Sequence, residues 1–355
     1  MLRAFLNHAG SRFDKLAAAA IFYRSPRSRA RSTSEGLGPD ERIAALGEIA
    51  AAYDRPEHLD PDGPFFQAPR RMTPDVVPVR AIPGGKVEDW TWESPFVPFH
   101  PEATERYLGQ VENRRAAARL YLHGDRPRPT ALLLHGYRAG QWAVEERAWP
   151  IEWLFEKGMD VALPVFPFHA VRGRKRGAPM APGSDPRMTN EGFRQAVLDT
   201  RTLIHHLRER GAPAIGLMGM SLGGYTSALI ATIETRLAFV VPMIPLASLA
   251  ESARHTGRFT GTPEQQRLQH EGLDAVHRVV SPLSRPARLD RERILVLGAE
   301  GDQITPIGHA RRLAGHFGAP LEVFAGGHIL QFGRGDAFRA AGKLLGRLGM
   351  FGRHR

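Results

Sequence analysis

The 355-residue sequence predicts an α/β protein: a mostly parallel central sheet with helices on both faces. Three observations predict it. From Thr130 onward, short apolar runs alternate with helical stretches, and near-continuous apolar strands of that kind belong to a parallel sheet covered on both sides. One of those runs, residues 215–219, passes through a Gly-x-Ser-x-Gly turn straight into a helical stretch. Hydrophobic residues make up 42% of the chain, which suffices for a large core and excludes a disordered or fibrous protein.

Residues 1–75 read as a helical and Pro-rich appendage. Leu2, Phe5, Leu6, Ala9, Phe13, Leu16 and Ala20 recur at helical spacing with Arg3, Arg12 and Lys15 between them. A transit peptide, a membrane-surface helix and a helix docked on the body would all look like this; docking is the preferred reading. An Arg/Ser linker follows at 25–34, then a helix near 40–52 and a Pro-rich run at 54–78. Residues 76–355 form the main domain. Short β-like stretches lie near 87–92 and 118–123. The alternation then runs through a strand at 131–135, a helix near 144–157, a strand at 160–166 and a long amphipathic helix over 191–210. Strand 214–219 leads into a helix from Leu222, and strands 237–241, 293–298 and 321–324 complete the set. The interval 241–293 exceeds an ordinary loop. Its helical stretches, near 246–255 and 263–280, predict a cap insertion over 243–290.

The chemistry centres on Gly219-Met220-Ser221-Leu222-Gly223. Such a turn lifts a serine hydroxyl above the sheet edge beside a helix N-terminus, whose amides stabilise negative charge. Serine needs a base, and the base an orienting carboxylate. The loop after strand 293–298 supplies Asp302, with Glu300 as the alternative acid, and the loop after strand 321–324 supplies His328, preceded by two glycines. The amide of Leu222 and that of Tyr137, in the His135-Gly136-Tyr137 loop after strand 131–135, are placed to hold an oxyanion.

With those motifs in order, the chain resembles the α/β-hydrolase superfamily over residues 117–355. The local likeness is to serine esterases and to dienelactone-hydrolase-like and prolyl-oligopeptidase-like hydrolases, and to α/β-hydrolase-domain proteins with a similar Phe166-Pro167-Phe168-His169 loop. Dienelactone hydrolases proper use a cysteine nucleophile, which Ser221 replaces here, so their activity is not implied. The resemblance implies a carboxylic ester hydrolase acting through an acyl-enzyme, with no cofactor and no metal. The alternatives are a lipid or phospholipid acyl hydrolase attached peripherally to anionic membrane and, less favoured, a non-catalytic binding protein of the same fold. In the 166–176 loop, His169 and Arg172 stand nearest the strand end and are read as substrate-binding.

The absence of cysteine excludes disulfides, zinc–thiolate sites, Fe–S clusters and thiol nucleophiles. The formal net charge is +11. The excess is concentrated: residues 1–34 carry seven cations and one anion, 171–187 five and one, 334–355 six and one. No continuous basic face or aromatic motif accompanies it, so a nucleic-acid partner is not expected. The substrate is expected to be a small-molecule or lipid ester. The location expected is cytoplasmic, and peripheral membrane contact would run through the basic termini.

Overall fold

The computed structural model describes residues 2–22, 36–173 and 178–352. The Arg/Ser stretch at 25–34 and the basic residues Arg174, Lys175, Arg176, Arg353 and Arg355 lie outside the described residues. The strands are β1 (Asp75–Ile82), β2 (Gly85–Glu93), β3 (Arg115–His123), β4 (Thr130–Leu134), β5 (Asp160–Val165), β6 (Ile215–Met220), β7 (Val240–Met243), β8 (Val296–Ala299) and β9 (Leu321–Phe324). They form one sheet in the order β1-β2-β3-β5-β4-β6-β7-β8-β9. The pairings from β1 to β5 are antiparallel, and those from β5 to β9 are parallel. The helices are α1 (Leu2–Phe22), α2 (Pro39–Tyr53), α3 (Pro101–Leu108), α4 (Trp142–Ala148), α5 (Ile151–Glu156), α6 (Pro186–Glu209), α7 (Leu222–Ala231), α8 (Leu249–His255), α9 (Pro263–His277), α10 (Ile307–Phe317) and α11 (Arg334–Arg347), with a single helical turn at Pro56–Leu59.

The period-2 geometry of the strands sorts their side chains into two layers. Leu132 and Leu134 of β4 pack with Val197, Leu203 and Ile204 of α6 and with Leu229 of α7. Ala131 and Leu133 face the other way, towards Leu154 of α5 and Leu344 and Leu345 of α11. Three expectations needed revision. The Pro-rich run hides β1, an exposed edge strand in which Pro78 is tolerated because an edge can leave an amide unpaired. The helix expected over 144–157 is two helices, parted at Pro150, because proline cannot continue the hydrogen-bond ladder. The long helix begins at Pro186, where Asp185 caps it by accepting the Arg187 amide.

Segment 36–100 is bonded into the body. Tyr53, Phe65, Phe66 and Met72 are buried in the same apolar cluster as β3, β4, α6 and α7. At its centre is Glu191 of α6, fully buried. Its carboxylate accepts the Tyr53 hydroxyl at 2.7 Å, the Phe99 and His100 amides at 2.9 and 3.2 Å, and the Arg194 guanidinium at 2.6 Å. Helix α9, in the interval between β7 and β8, lies on α2, with Leu46 against Gly272. It also joins α6, where Asn190 donates to the Val276 carbonyl at 2.8 Å and pairs with His277 at 2.7 Å.

Helix α1 docks on the body with only Leu6 and Ala9 of its apolar stripe half-buried among the described side chains. Leu2, Phe5, Phe13 and Leu16 are exposed, at 42–74% of their surface, while Gly10 and Asp14 face inwards.

Candidate active site

The sheet order reverses at β4, whose neighbours β5 and β6 lead away in opposite directions. Ligand crevices of open α/β sheets form at that point, beyond the carboxyl ends of the strands. There the loops after β4, β6, β8 and β9 converge. Ser221, between β6 and α7, has φ 56° and ψ −111°, a conformation that costs a non-glycine residue energy and marks a constrained turn. The turn closes only because its neighbours lack side chains: a Cβ on Gly219 would strike the Gly223 carbonyl, and one on Gly223 the Leu134 carbonyl at the end of β4. The Ser221 amide donates to the Met243 carbonyl at 2.9 Å, tying the elbow to β7.

The other two residues meet it. His328 Nε2 lies 3.0 Å from Ser221 Oγ, and His328 Nδ1 lies 2.7 Å from Asp302 Oδ2. The other carboxylate oxygen of Asp302 accepts the amides of Ile304 and Thr305 at 2.8 and 2.7 Å. The Thr305 hydroxyl sits 2.9 Å from Asp302 Oδ2 and 3.0 Å from the Ile244 carbonyl oxygen. Burial pulls the His328 pKa down, but the Asp302 carboxylate, with a smaller push from Asp14, outweighs it and leaves the imidazole above its ordinary value. Glu300, the alternative acid, turns away to α1, where Arg3 and Asn7 donate to it at 2.8 and 2.7 Å.

Leu222 is the first residue of α7, so its amide is one that the helix leaves without an acceptor. The Gly136 loop lies against the elbow, a Cβ there being 3.7 Å from Ser221 Cβ, and Tyr137 follows it. His135 braces this loop. Its Nδ1–H donates to the Gly136 carbonyl at 2.8 Å, and its Nε2 accepts the Phe166 amide at 2.9 Å. Burial, with His169 nearby, pushes its pKa down to about 3, so it stays neutral in that tautomer.

The 166–176 loop divides. His169 is buried; its Nδ1–H donates to the Pro167 carbonyl at 2.8 Å, and Nε2 has no hydrogen-bond partner among the described residues. Burial lowers its pKa to about 4, so Nε2 is an acceptor. It lines a small, half-open pocket with Phe166, Pro167, Phe193 and Leu222. Arg172 does not form the substrate-facing cation read from the sequence. It is 1% exposed, and its guanidinium turns inwards, donating to the Val165 and Asn113 carbonyls at 2.9 and 3.2 Å and pairing with Asp199 at 2.7 Å. The physical reason is Asp199 on α6, a buried anion that needs a partner.

Among the described residues no group of three or more His, Asp or Glu side chains is placed to hold a metal ion. No described helix is long and apolar enough to cross a membrane. Sequence reasoning missed three residues at the site. His135 and Thr305 were signalled only by lying next to the motifs. Asp14, whose carboxylate accepts the His328 amide at 2.6 Å, carried no signal.

Comparison with known proteins agrees with this architecture. The family described as alpha/beta hydrolase domain containing 18 matches residues 193–275, the stretch holding Ser221. The uncharacterized protein Rv2627c of Mycobacterium tuberculosis (strain ATCC 25618 / H37Rv) is 32% identical over 303 residues, covering 81% of this chain and 71% of its own length. Among solved structures, acetyl xylan esterase 1 from Thermoanaerobacterium sp. JW/SL YS485 superposes with a TM-score of 0.55 at 15% identity, covering 93% of this chain and all of that one. Acetyl xylan esterase from Paenibacillus sp. R4 gives 0.53 at 16% identity, over 85% of this chain and 92% of that one. At such identities the likeness is one of fold.

Proposed function

Given that the chain belongs to the α/β-hydrolase superfamily, in one family with its mycobacterial relative, we propose that it is a serine hydrolase cleaving a carboxylic ester. The observation that carries the reading is the unbroken relay from Ser221 Oγ to His328 Nε2 at 3.0 Å and from His328 Nδ1 to Asp302 at 2.7 Å. Ser221 Oγ attacks the acyl carbonyl while its proton passes to His328 Nε2. Asp302 holds the imidazole in the required tautomer and stabilises the imidazolium. The amides of Leu222 and Tyr137 receive the developing oxyanion; removing one such donor typically costs about 10²–10³ in kcat. His328 returns the proton to the departing alkoxide, and the acyl group stays on Ser221. Water, deprotonated by the same imidazole, then releases the acid and restores the serine.

Beside Leu222, His169 Nε2 offers a substrate hydroxyl a hydrogen-bond acceptor in a small, largely apolar pocket. Ser221→Ala is expected to abolish labelling by a fluorophosphonate and hydrolysis of short esters while leaving the melting temperature within a few degrees. Undiminished labelling of that variant would overturn the proposal.

A second reading, acyl hydrolysis at an anionic membrane surface, is favoured by one observation. Leu2, Phe5, Phe13 and Leu16 form an exposed apolar stripe on the outer face of α1, with exposed Arg12 and Lys15 on the same helix. That is the composition of a helix lying in a lipid interface.

A further inference from the structure

We propose that α1 belongs to the catalytic apparatus and that Asp14 is a positioning residue, holding the loops of His328 and Asp302 at the distances the triad requires. The inference rests on the serine-hydrolase reading above. Asp14 is fully buried. Its Oδ2 accepts the amides of His328 and Gln303 at 2.6 and 3.1 Å, and its Oδ1 accepts the Ile329 amide at 2.9 Å. One carboxylate thus bridges the residue after the acid and the histidine itself. The rest of the inner face of α1 reaches the same two loops. Ser11 donates to the Gly301 carbonyl at 2.7 Å, and Asn7 accepts the Gly326 amide at 2.9 Å while donating to Glu300 at 2.7 Å. The approach is backbone to backbone: a Cβ on Gly10 would collide with the Gly327 amide, and one on Gly301 would lie 2.6 Å from the Asn7 carbonyl oxygen.

A helix docked only for stability would bury its apolar stripe, because apolar burial is the larger gain. Helix α1 does the reverse: Phe5 and Leu16 stay in solvent, and the polar face meets the catalytic loops. Charge-assisted hydrogen bonds to three amides set a loop's position more sharply than apolar contact does. Asp14 also acts on the imidazole through space. The groups facing His328 are Asp302 and Thr305 from the loop after β8, Ser221 from the elbow, Gln331 from its own loop and Asp14 from α1. Of these only the two carboxylates are negative, and both favour the imidazolium that forms when Ser221 gives up its proton.

The test uses the full chain carrying Asp14→Ala, Asp14→Asn or Gly10→Val. The readouts are kcat and KM on a short ester, the rate of fluorophosphonate labelling, and the pH profile of kcat/KM, all normalised to folded protein by circular dichroism. Asp14→Ala is expected to lower kcat and the labelling rate by about tenfold or more with KM within about twofold, since misplacement of a reacting group costs rate before binding. Its acid limb moves to lower pH, because loss of a nearby negative charge lowers the imidazole pKa. Asp14→Asn, which keeps one acceptor oxygen but turns a donor towards one of the amides, falls between. Gly10→Val forces the helix off the Gly327 loop and reduces kcat alike without removing a charge. The proposal is overturned if Asp14→Ala matches the wild type in kcat, labelling and pH midpoint, or if its loss only tracks the unfolded fraction with the midpoint unmoved. Failure of the wild type to label at all would instead overturn the triad reading beneath it.

Discussion

His328 sits between two opposing influences, and on the proposed mechanism its protonation decides when the site can work. Burial disfavours the imidazolium, while Asp302 first and Asp14 second favour it, and the balance lies above the ordinary histidine value. A base must be unprotonated to accept the Ser221 proton, so kcat/KM is expected to fall as pH drops through a midpoint above that of a free histidine. Asp302→Asn should move this midpoint down and cut kcat by about 10⁴; a pH–rate profile on each protein checks both. The meeting of Ser221, His328 and Asp302 was legible in the sequence because each follows an apolar strand, and strand ends bring such loops together. Arg172 was misread for the opposite reason. Its partner Asp199 lies on the inner face of α6, and a charged residue in a helix is ordinarily read as facing water. Asp14 was illegible because it is recognised through main-chain amides, which leave no mark in the identity of the residues that carry them.

At the scale of elements, α6 is the joint between the two parts of the chain. Glu191 and Arg194, three residues apart, look like an ordinary exposed ion pair; instead both are buried, at 0% and 4% of their side-chain surface. Around them gather Tyr53, from the segment that the sequence marked as an appendage, and Phe99 and His100, from the start of the main domain. Removing Glu191 strands the Arg194 guanidinium, which also donates to the Phe65 and Val97 carbonyls. An uncompensated buried charge of this kind costs about 3–5 kcal/mol. Glu191→Ala should therefore lower unfolding free energy by that order in a denaturant titration, whereas a surface change such as Glu271→Ala should alter it by less than about 0.5 kcal/mol. The strand–helix alternation was legible because burial on both faces produces unmistakable apolar runs. Strand β1 was not, since all but its last residue are exposed and it carries a proline.

For the whole molecule the membrane reading joins the charge of +11 to the outer face of α1. On the membrane reading, each Lys or Arg near an anionic bilayer would add about 1 kcal/mol of attraction, and the apolar stripe of α1 would add insertion. Flotation with vesicles containing phosphatidylglycerol is expected to carry the protein upward at low salt and to release it as ionic strength rises, while Phe5→Asp with Leu16→Asp abolishes the effect. Equal partition onto neutral phosphatidylcholine vesicles would count against the membrane reading. Because the inner face of the same helix holds the His328 loop, attachment and turnover can be separated experimentally: the double aspartate variant keeps Asn7, Gly10, Ser11 and Asp14 in place.

The bond from Asp14 to His328 spans 314 residues of chain, and that separation has a consequence during synthesis. At about 5–20 residues per second, α1 emerges tens of seconds before the loop it must grip. Closing so long a span adds little thermodynamically, since each doubling of loop length costs only about 0.6 kcal/mol, but it must come late. Ser221 is therefore made well before His328, the base that the proposed mechanism assigns to it. A polypeptide halted short of residue 326 would lack the amides of His328 and Ile329 that Asp14 accepts. On the proposed mechanism the site is complete only when α1 and the loop after β9 have met.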